Sequence, residues 1–272
     1  MNNKFLPISE DFYSMQCEGV TTGYPAYFIR LMNCNLHCGA SSEFMKKVRR
    51  KSIDLDPGSF QGDLHKTGEA TWTCDTIPVW IKGHKKPFNY LIDRWKEEGI
   101  LDWVLEGRVN LIWTGGEPTM RMSQKVIIEF LEYLKNLYPD SKVYNEIETN
   151  GTGYIDDNLF KELDQINCSV KLANSGMSKD VRIIPDALNR IMEHPNYWFK
   201  FVISNEEDLE EIHRDFIKPF NINLKRVIVM PGLDDQKNFH ERTLFSLEMG
   251  RKYGYIGLTR LHVSAWNKTT GV

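Results

Sequence analysis

Cys34 and Cys38 stand four residues apart directly after an apolar stretch, and Cys74 follows 36 residues later. Three thiolates can hold three irons of a [4Fe-4S] cluster and leave the fourth iron open to an outside ligand, much as a catalytic zinc keeps one position free. A zinc site is the competing reading; its fourth ligand would be His37 or His65. Three unrelated cysteines are the plain alternative. With Cys17 and Cys168 the chain has five cysteines, an odd number that fits a secreted disulfide framework poorly. Grouped thiols in a reducing compartment more often bind metal or do chemistry than form bridges.

The thiols need a scaffold, and the hydrophobic pattern supplies one. Ala26 to Met32 reads as a short buried strand ending just before Cys34. Val109 to Trp113 is a second strand, cut off by Thr114-Gly115-Gly116-Glu117-Pro118. A helix follows with Val126, Ile127, Phe130, Leu131, Leu134 and Leu137 on one face. Further strands are expected at Lys142 to Glu148, Asn167 to Leu172, Tyr197 to Ile203, Arg226 to Met230 and Ile256 to His262. Helices are expected near Asn158 to Leu163, Pro185 to Met192 and Leu244 to Tyr253. Another is capped by Asn205 with Asp208 three residues on, and carries Leu209, Ile212 and Phe216. Alternating strands and helices imply right-handed βαβ units and a parallel sheet. About six parallel strands are too few for a closed eight-fold barrel and suit an open, partial β/α barrel. In such folds the site forms at the carboxyl ends of the strands. Cys34, Thr114 to Glu117, Glu148 to Asn150 and Met230 to Gly232 all fall there.

Composition narrows the function. The 34 basic and 37 acidic side chains leave a formal charge of −3, which argues against a protein built to grip a phosphate backbone. No apolar run approaches a membrane span, and Met1-Asn2-Asn3-Lys4 leads into no signal core, so a soluble, cytoplasmic protein is expected. A length of 272 residues suits one large domain.

Asn33-Cys34-Asn35-Leu36-His37-Cys38, Cys74-Asp75-Thr76 and Thr114-Gly115-Gly116-Glu117-Pro118 together resemble the radical S-adenosylmethionine (SAM) superfamily. Its Cys-x-x-x-Cys-x-x-Cys motif binds a [4Fe-4S] cluster, and its Gly-Gly-Glu segment contacts the amino group of SAM. Here 35 residues, not two, separate Cys38 from Cys74, so residues 39–73 read as an insertion in the cluster loop. The opening Ser14-Met15-Gln16-Cys17-Glu18-Gly19, followed by Gly23 and Phe28-Ile29-Arg30, narrows the resemblance to the 7-carboxy-7-deazaguanine synthases. Glu148-Thr149-Asn150-Gly151, Ser169-Val170-Lys171 and Arg260-Leu261-His262 extend it to the C-terminal region. Cys17 and Asn33 stand where that family usually has glycine.

The resemblance implies a lyase that converts 6-carboxy-5,6,7,8-tetrahydropterin to 7-carboxy-7-deazaguanine with loss of ammonia, on the queuosine-type route. It implies a [4Fe-4S] cluster on Cys34, Cys38 and Cys74, SAM as a regenerated cofactor, and Mg²⁺ on Thr76 with Asp75 nearby. Substrate contacts are implied at Met15, Gln16, Cys17, Glu18, Arg30, Thr114 and His262. Arg30 offers a planar fork for the substrate carboxylate, and Gln16 and Glu18 match a pterin edge. SAM contacts are implied at Gly116, Glu117, Glu148, Asn150, Ser169, Lys171, Met230 and Pro231. The implied partners are the pterin, a flavodoxin- or ferredoxin-type electron donor and a second copy in a homodimer, with no direct nucleic acid and no membrane. Cys168 reads as a core thiol.

Two rival functions remain at this point. A glycyl-radical activating enzyme would keep the cysteines but have no use for Arg30, Gln16, Glu18 and His262 as a set. A zinc-stabilised binding module would be colourless, whereas an iron-sulfur protein is brown. Residues 39–73 carry Lys46, Lys47, Arg49, Arg50 and Lys51, nearly cancelled by acids at 43, 54, 56, 63 and 69. They are expected to form a solvent-exposed, peripheral elaboration that covers the cluster or a partner surface and adds nothing to the chemistry.

Overall fold

Pro25–Leu31, labelled β2, is almost continuously apolar because it is covered on both faces, as a strand inside a parallel sheet must be. The computed structural model describes residues 4–50, 55–56, 60–232, 236–267, 269 and 271–272. Strand β1 is Phe5–Met15 and β3 is His84–Pro87. The rest of the sheet comprises β4 Asn110–Gly115, β5 Asn145–Thr149, β6 Gln165–Cys168, β7 Tyr197–Ile203, β8 Val227–Pro231 and β9 Ile256–Gly257. Their order is β3-β1-β2-β4-β5-β6-β7-β8-β9. From β2 to β9 every pairing is parallel, whereas β1 runs antiparallel to both β2 and β3. The sheet ends at β3 and β9 without closing. It is an open, partial β/α barrel with seven parallel strands, one for each segment named from the sequence, so the count of about six was one short.

Helices cover the outer face. The longest, Arg121–Leu137, buries Ile127, Phe130, Leu131 and Leu134 against the sheet. The helix Glu206–Glu211 begins in the expected capping box of Asn205 and Asp208. Pro185–Met192 also falls where the spacing put it.

Three of the differences from expectation bear on the site. The sequence does not mark Phe5–Met15 as a strand, because Pro7 and the pair Glu10-Asp11 obscure the alternation that buries Leu6, Ile8 and Phe12. The last strand stops at Gly257: Leu258 makes the final bond to Val229, and the chain enters a helix, Leu261–Trp266. His262 therefore sits on a helix, not on a strand.

The third difference is the segment between Cys38 and Cys74. Ser41 caps a helix, Ser42–Arg49, whose Phe44, Met45 and Val48 pack with Ala40, Leu55, Ile77 and Trp80. Phe60, Cys34 and Cys74 lie against this satellite core. The segment is also tied to the barrel: Gly39 N donates to Ser175 O at 2.6 Å, Thr71 N to Asn174 O at 2.9 Å, and Trp72 Nε1 to Asn174 Oδ1 at 3.0 Å. Its basic run hid an amphipathic helix, so the solvent-exposed excursion is corrected to a packed satellite that lies against Cys34 and Cys74. Lys51, Asp54 and Pro57-Gly58 lie outside the described residues, as does the side chain of Asp63. Phe44→Ala is expected to cost about 3 kcal/mol and to lower the unfolding midpoint by roughly 6 °C, measured by circular dichroism. An unchanged midpoint would return the segment to the periphery.

Candidate functional site

The parallel strands all deliver their carboxyl ends to one face. β2 brings Arg30 level with Thr114 of β4, and Leu31 level with Gly115. Just beyond, the chain turns at Asn33, which takes a left-handed φ of 69° that asparagine tolerates better than most residues. A Cβ on Gly116 would lie 1.6 Å from Asn33 O, so this crossing of two turns requires a bare backbone. The bonds from Gly116 N to Leu31 O and from Glu117 N to Asn33 O, at 2.9 and 2.8 Å, lock the cysteine turn onto the Gly-Gly-Glu turn.

One cavity opens above these ends. Cys34, Cys38 and Cys74 line it together, with Asp75 and Thr76 beside them. Met15, Gln16, Cys17, Glu18, Arg30, Thr114 and His262 line it as well. So do Gly116, Glu117, Glu148, Asn150, Ser169 and Lys171. Met230 and Pro231 do not: both are buried within β8, so the structure does not bring them to the cavity.

Several of these side chains are already committed. Glu117 is buried and accepts from Thr119 N, Thr149 Oγ1 and Asn150 N, so it braces the turn from below. Gln16 Oε1 accepts from the backbone of Cys17 and Glu18 at 2.9 and 3.0 Å. Lys171 Nζ donates to Ser169 Oγ at 2.8 Å. Arg30 is different. Its Nε stands 3.4 Å from Glu10, its guanidinium lies over the Phe12 ring, and Nε is buried without a hydrogen-bond partner.

A charge network also lines the cavity. Glu18 Oε2 meets Lys200 Nζ at 2.6 Å, and Glu18 Oε1 meets Arg260 Nε at 2.9 Å. Arg260 also reaches Asp75 at 3.0 Å. Burial opposes ionisation of Glu18, but the Lys200 and Arg260 charges outweigh it and hold the carboxyl well below the usual carboxylate range. Burial, then the Arg260 charge, pushes His262 down to about 4, so its imidazole is neutral near pH 7. Burial pushes the three lining thiols up, Cys38 to about 12. Lys200 and Arg260 were not among the residues singled out from sequence as site residues. Arg260 sat in a quoted motif without a role; Lys200 gave no local signal.

Cys34, Cys38 and Cys74 bring three thiol donors to one cavity, the number that holds three irons of a [4Fe-4S] cluster and leaves the fourth open. Their protein contacts are slight: Cys74 Sγ lies 3.1 Å from Thr76 Oγ1, and Asn150 Nδ2 reaches Cys34 Sγ at 3.9 Å.

No family model matches the chain. A curated 7-carboxy-7-deazaguanine synthase from Pyrobaculum aerophilum is 26% identical over 267 residues, covering 97% of this chain and 96% of that protein. The chain is a relative of the 7-carboxy-7-deazaguanine synthases. A synthase of the same name from Clostridium acetobutylicum is 29% identical over 234 residues, covering 83% of this chain and 79% of that one. A crystal structure of QueE from Escherichia coli shares the fold, with a TM-score of 0.55 at 19% identity, covering 93% of this chain and 92% of that chain. In this synthase relative no helix among the described residues is long and apolar enough to cross a membrane.

Proposed function

We infer that the chain is a radical SAM lyase that converts 6-carboxy-5,6,7,8-tetrahydropterin to 7-carboxy-7-deazaguanine with loss of ammonia, in 7-deazaguanine biosynthesis. The observation that carries this reading is the single cavity in which three thiols face Arg30, Glu18 and His262. Cys34, Cys38 and Cys74 are the proposed cluster ligands, and Gly116, Glu148, Asn150, Ser169 and Lys171 the proposed SAM contacts. A [4Fe-4S] cluster and SAM held by these residues would supply the one-electron radical chemistry that the conversion needs. The Thr76 hydroxyl, with Asp75 beside it, offers hard oxygen to Mg²⁺.

The chain's own contribution is recognition and shielding. Arg30 presents its fork to the substrate carboxylate. Glu18, held ionised, accepts from pterin N–H groups, and neutral His262 completes the edge. Gln16 shapes the wall through its bonds to Cys17 and Glu18. The same reading brings in a flavodoxin- or ferredoxin-type electron donor and a homodimer. An anaerobic assay with 6-carboxytetrahydropterin, SAM and a reductant is expected to give the deazaguanine product by mass. No product from a cluster-loaded sample would reject the reading.

Arg30 gives a sharper test. Leaving a buried carboxylate without its cation costs on the order of 2–5 kcal/mol, about thirty- to several-thousand-fold in affinity. Arg30→Lys should lose much of this, because a point charge does not replace a bidentate fork. Unchanged substrate affinity in both Arg30→Ala and Arg30→Lys would remove Arg30 from the site.

A further inference from the structure

Glu146 is fully buried in β5, two residues before Glu148 and so on the same face of the sheet, yet it does not line the cavity. Four side chains donate to its carboxylate. Gln16 Nε2 lies 3.1 Å from Oε1, Thr21 Oγ1 3.1 Å and Asn110 Nδ2 3.3 Å from Oε2, and Asn167 Nδ2 also bonds Oε1. Among the described residues no cation pairs with it. A carboxyl buried without a cation is a costly choice where stability alone is at stake, since apolar side chains would fill the barrel as well. These donors favour the ionised carboxylate, against burial and the Glu148 charge, which push the Glu146 carboxyl up to about 7.

The beneficiary of this arrangement is Gln16. One end of its amide is held by Glu146 and, at 3.3 Å, by Glu148; the other end takes the backbone N–H groups of Cys17 and Glu18. We propose that Glu146 is a positioning residue, which clamps the Gln16 amide and through it fixes the Cys17-Glu18 backbone that forms one wall of the cavity. The effect on substrate capture rests on the function proposed above; the clamp itself does not.

The test therefore has two readouts. In Glu146→Gln an amide N–H₂ faces donors, Gln16 is left with only its longer bond to Glu148, and hydrogen–deuterium exchange of the peptide carrying Cys17 and Glu18 should rise about tenfold or more. Peptides over β7 and β8 should exchange as in the wild type, and iron content should be unchanged. KM for 6-carboxytetrahydropterin should rise about tenfold while kcat changes far less. Gln16→Leu breaks the clamp from its other end and should reproduce both effects, which should not add in the double variant. Wild-type exchange at Cys17 and Glu18 in either variant would overturn the proposal, whatever the kinetics. Faster exchange in a protein whose wild type leaves the pterin untouched would uphold the clamp and reject the substrate.

Discussion

Cys74→Ala is expected to abolish turnover, a loss of about a thousandfold or more, equivalent to at least 4 kcal/mol, and to lower the iron content of anaerobically purified protein. The same holds for Cys34→Ala and Cys38→Ala. The case for Cys74 is the most exposed to test, because 35 residues separate it from Cys38. The fold answers that separation: Cys74 N donates to Cys38 O at 2.9 Å, so the two cysteines meet through their backbones. Cys17→Ala and Cys168→Ala are the controls and should keep the cluster. Cys17 Sγ lies 3.3 Å from Met15 O, and Cys168 is core beneath Gly151. A Cys74→Ala protein that keeps a full, SAM-responsive cluster would remove Cys74 from the ligand set.

What could be read from sequence follows a physical divide. Thr114 to Glu117 and Glu148 to Asn150 were legible because a parallel strand ends abruptly, and glycine, proline and polar residues mark the stop. The helix Ser42–Arg49 was not, since Lys46, Lys47 and Arg49 dominate a segment whose apolar face has only three members. β1 was missed because its antiparallel pairing needs one buried face alone, and a bulge between Ile8 and Glu10 breaks even that alternation. Lys200 was out of reach for another reason. It lies within Phe199-Lys200-Phe201, where it reads as the solvent side of a strand, but that side faces the barrel interior. Its partner Glu18 is 182 residues away, and no local pattern encodes such a pair. His262 was placed by resemblance, and the structure supplied the helix that carries it.

The Lys200 pair also gives the second large effect. Its side chain is 6% exposed, with Nζ 2.6 Å from Glu18 and 3.8 Å from Glu148. Removing one member of a buried pair costs about 3–5 kcal/mol; because Arg260 still faces Glu18, Lys200→Met belongs at the lower end, about 3 kcal/mol. Arg260→Met should cost less, since its other partner Asp75 is 42% exposed and can turn to water. The sign with pH separates charge from packing. Glu18 is depressed in the folded protein, so its contribution is present above its unfolded value near 4.5 and is lost as pH falls through the lower folded value. In Lys200→Met burial is opposed by fewer cations, so Glu18 protonates at higher pH. The gap in unfolding midpoint between wild type and Lys200→Met should therefore be widest near pH 7 and close in strong acid, once Glu18 is protonated in both. A gap of equal size at pH 7 and in strong acid would mean that the loss came from the buried lysine stem and not from its charge.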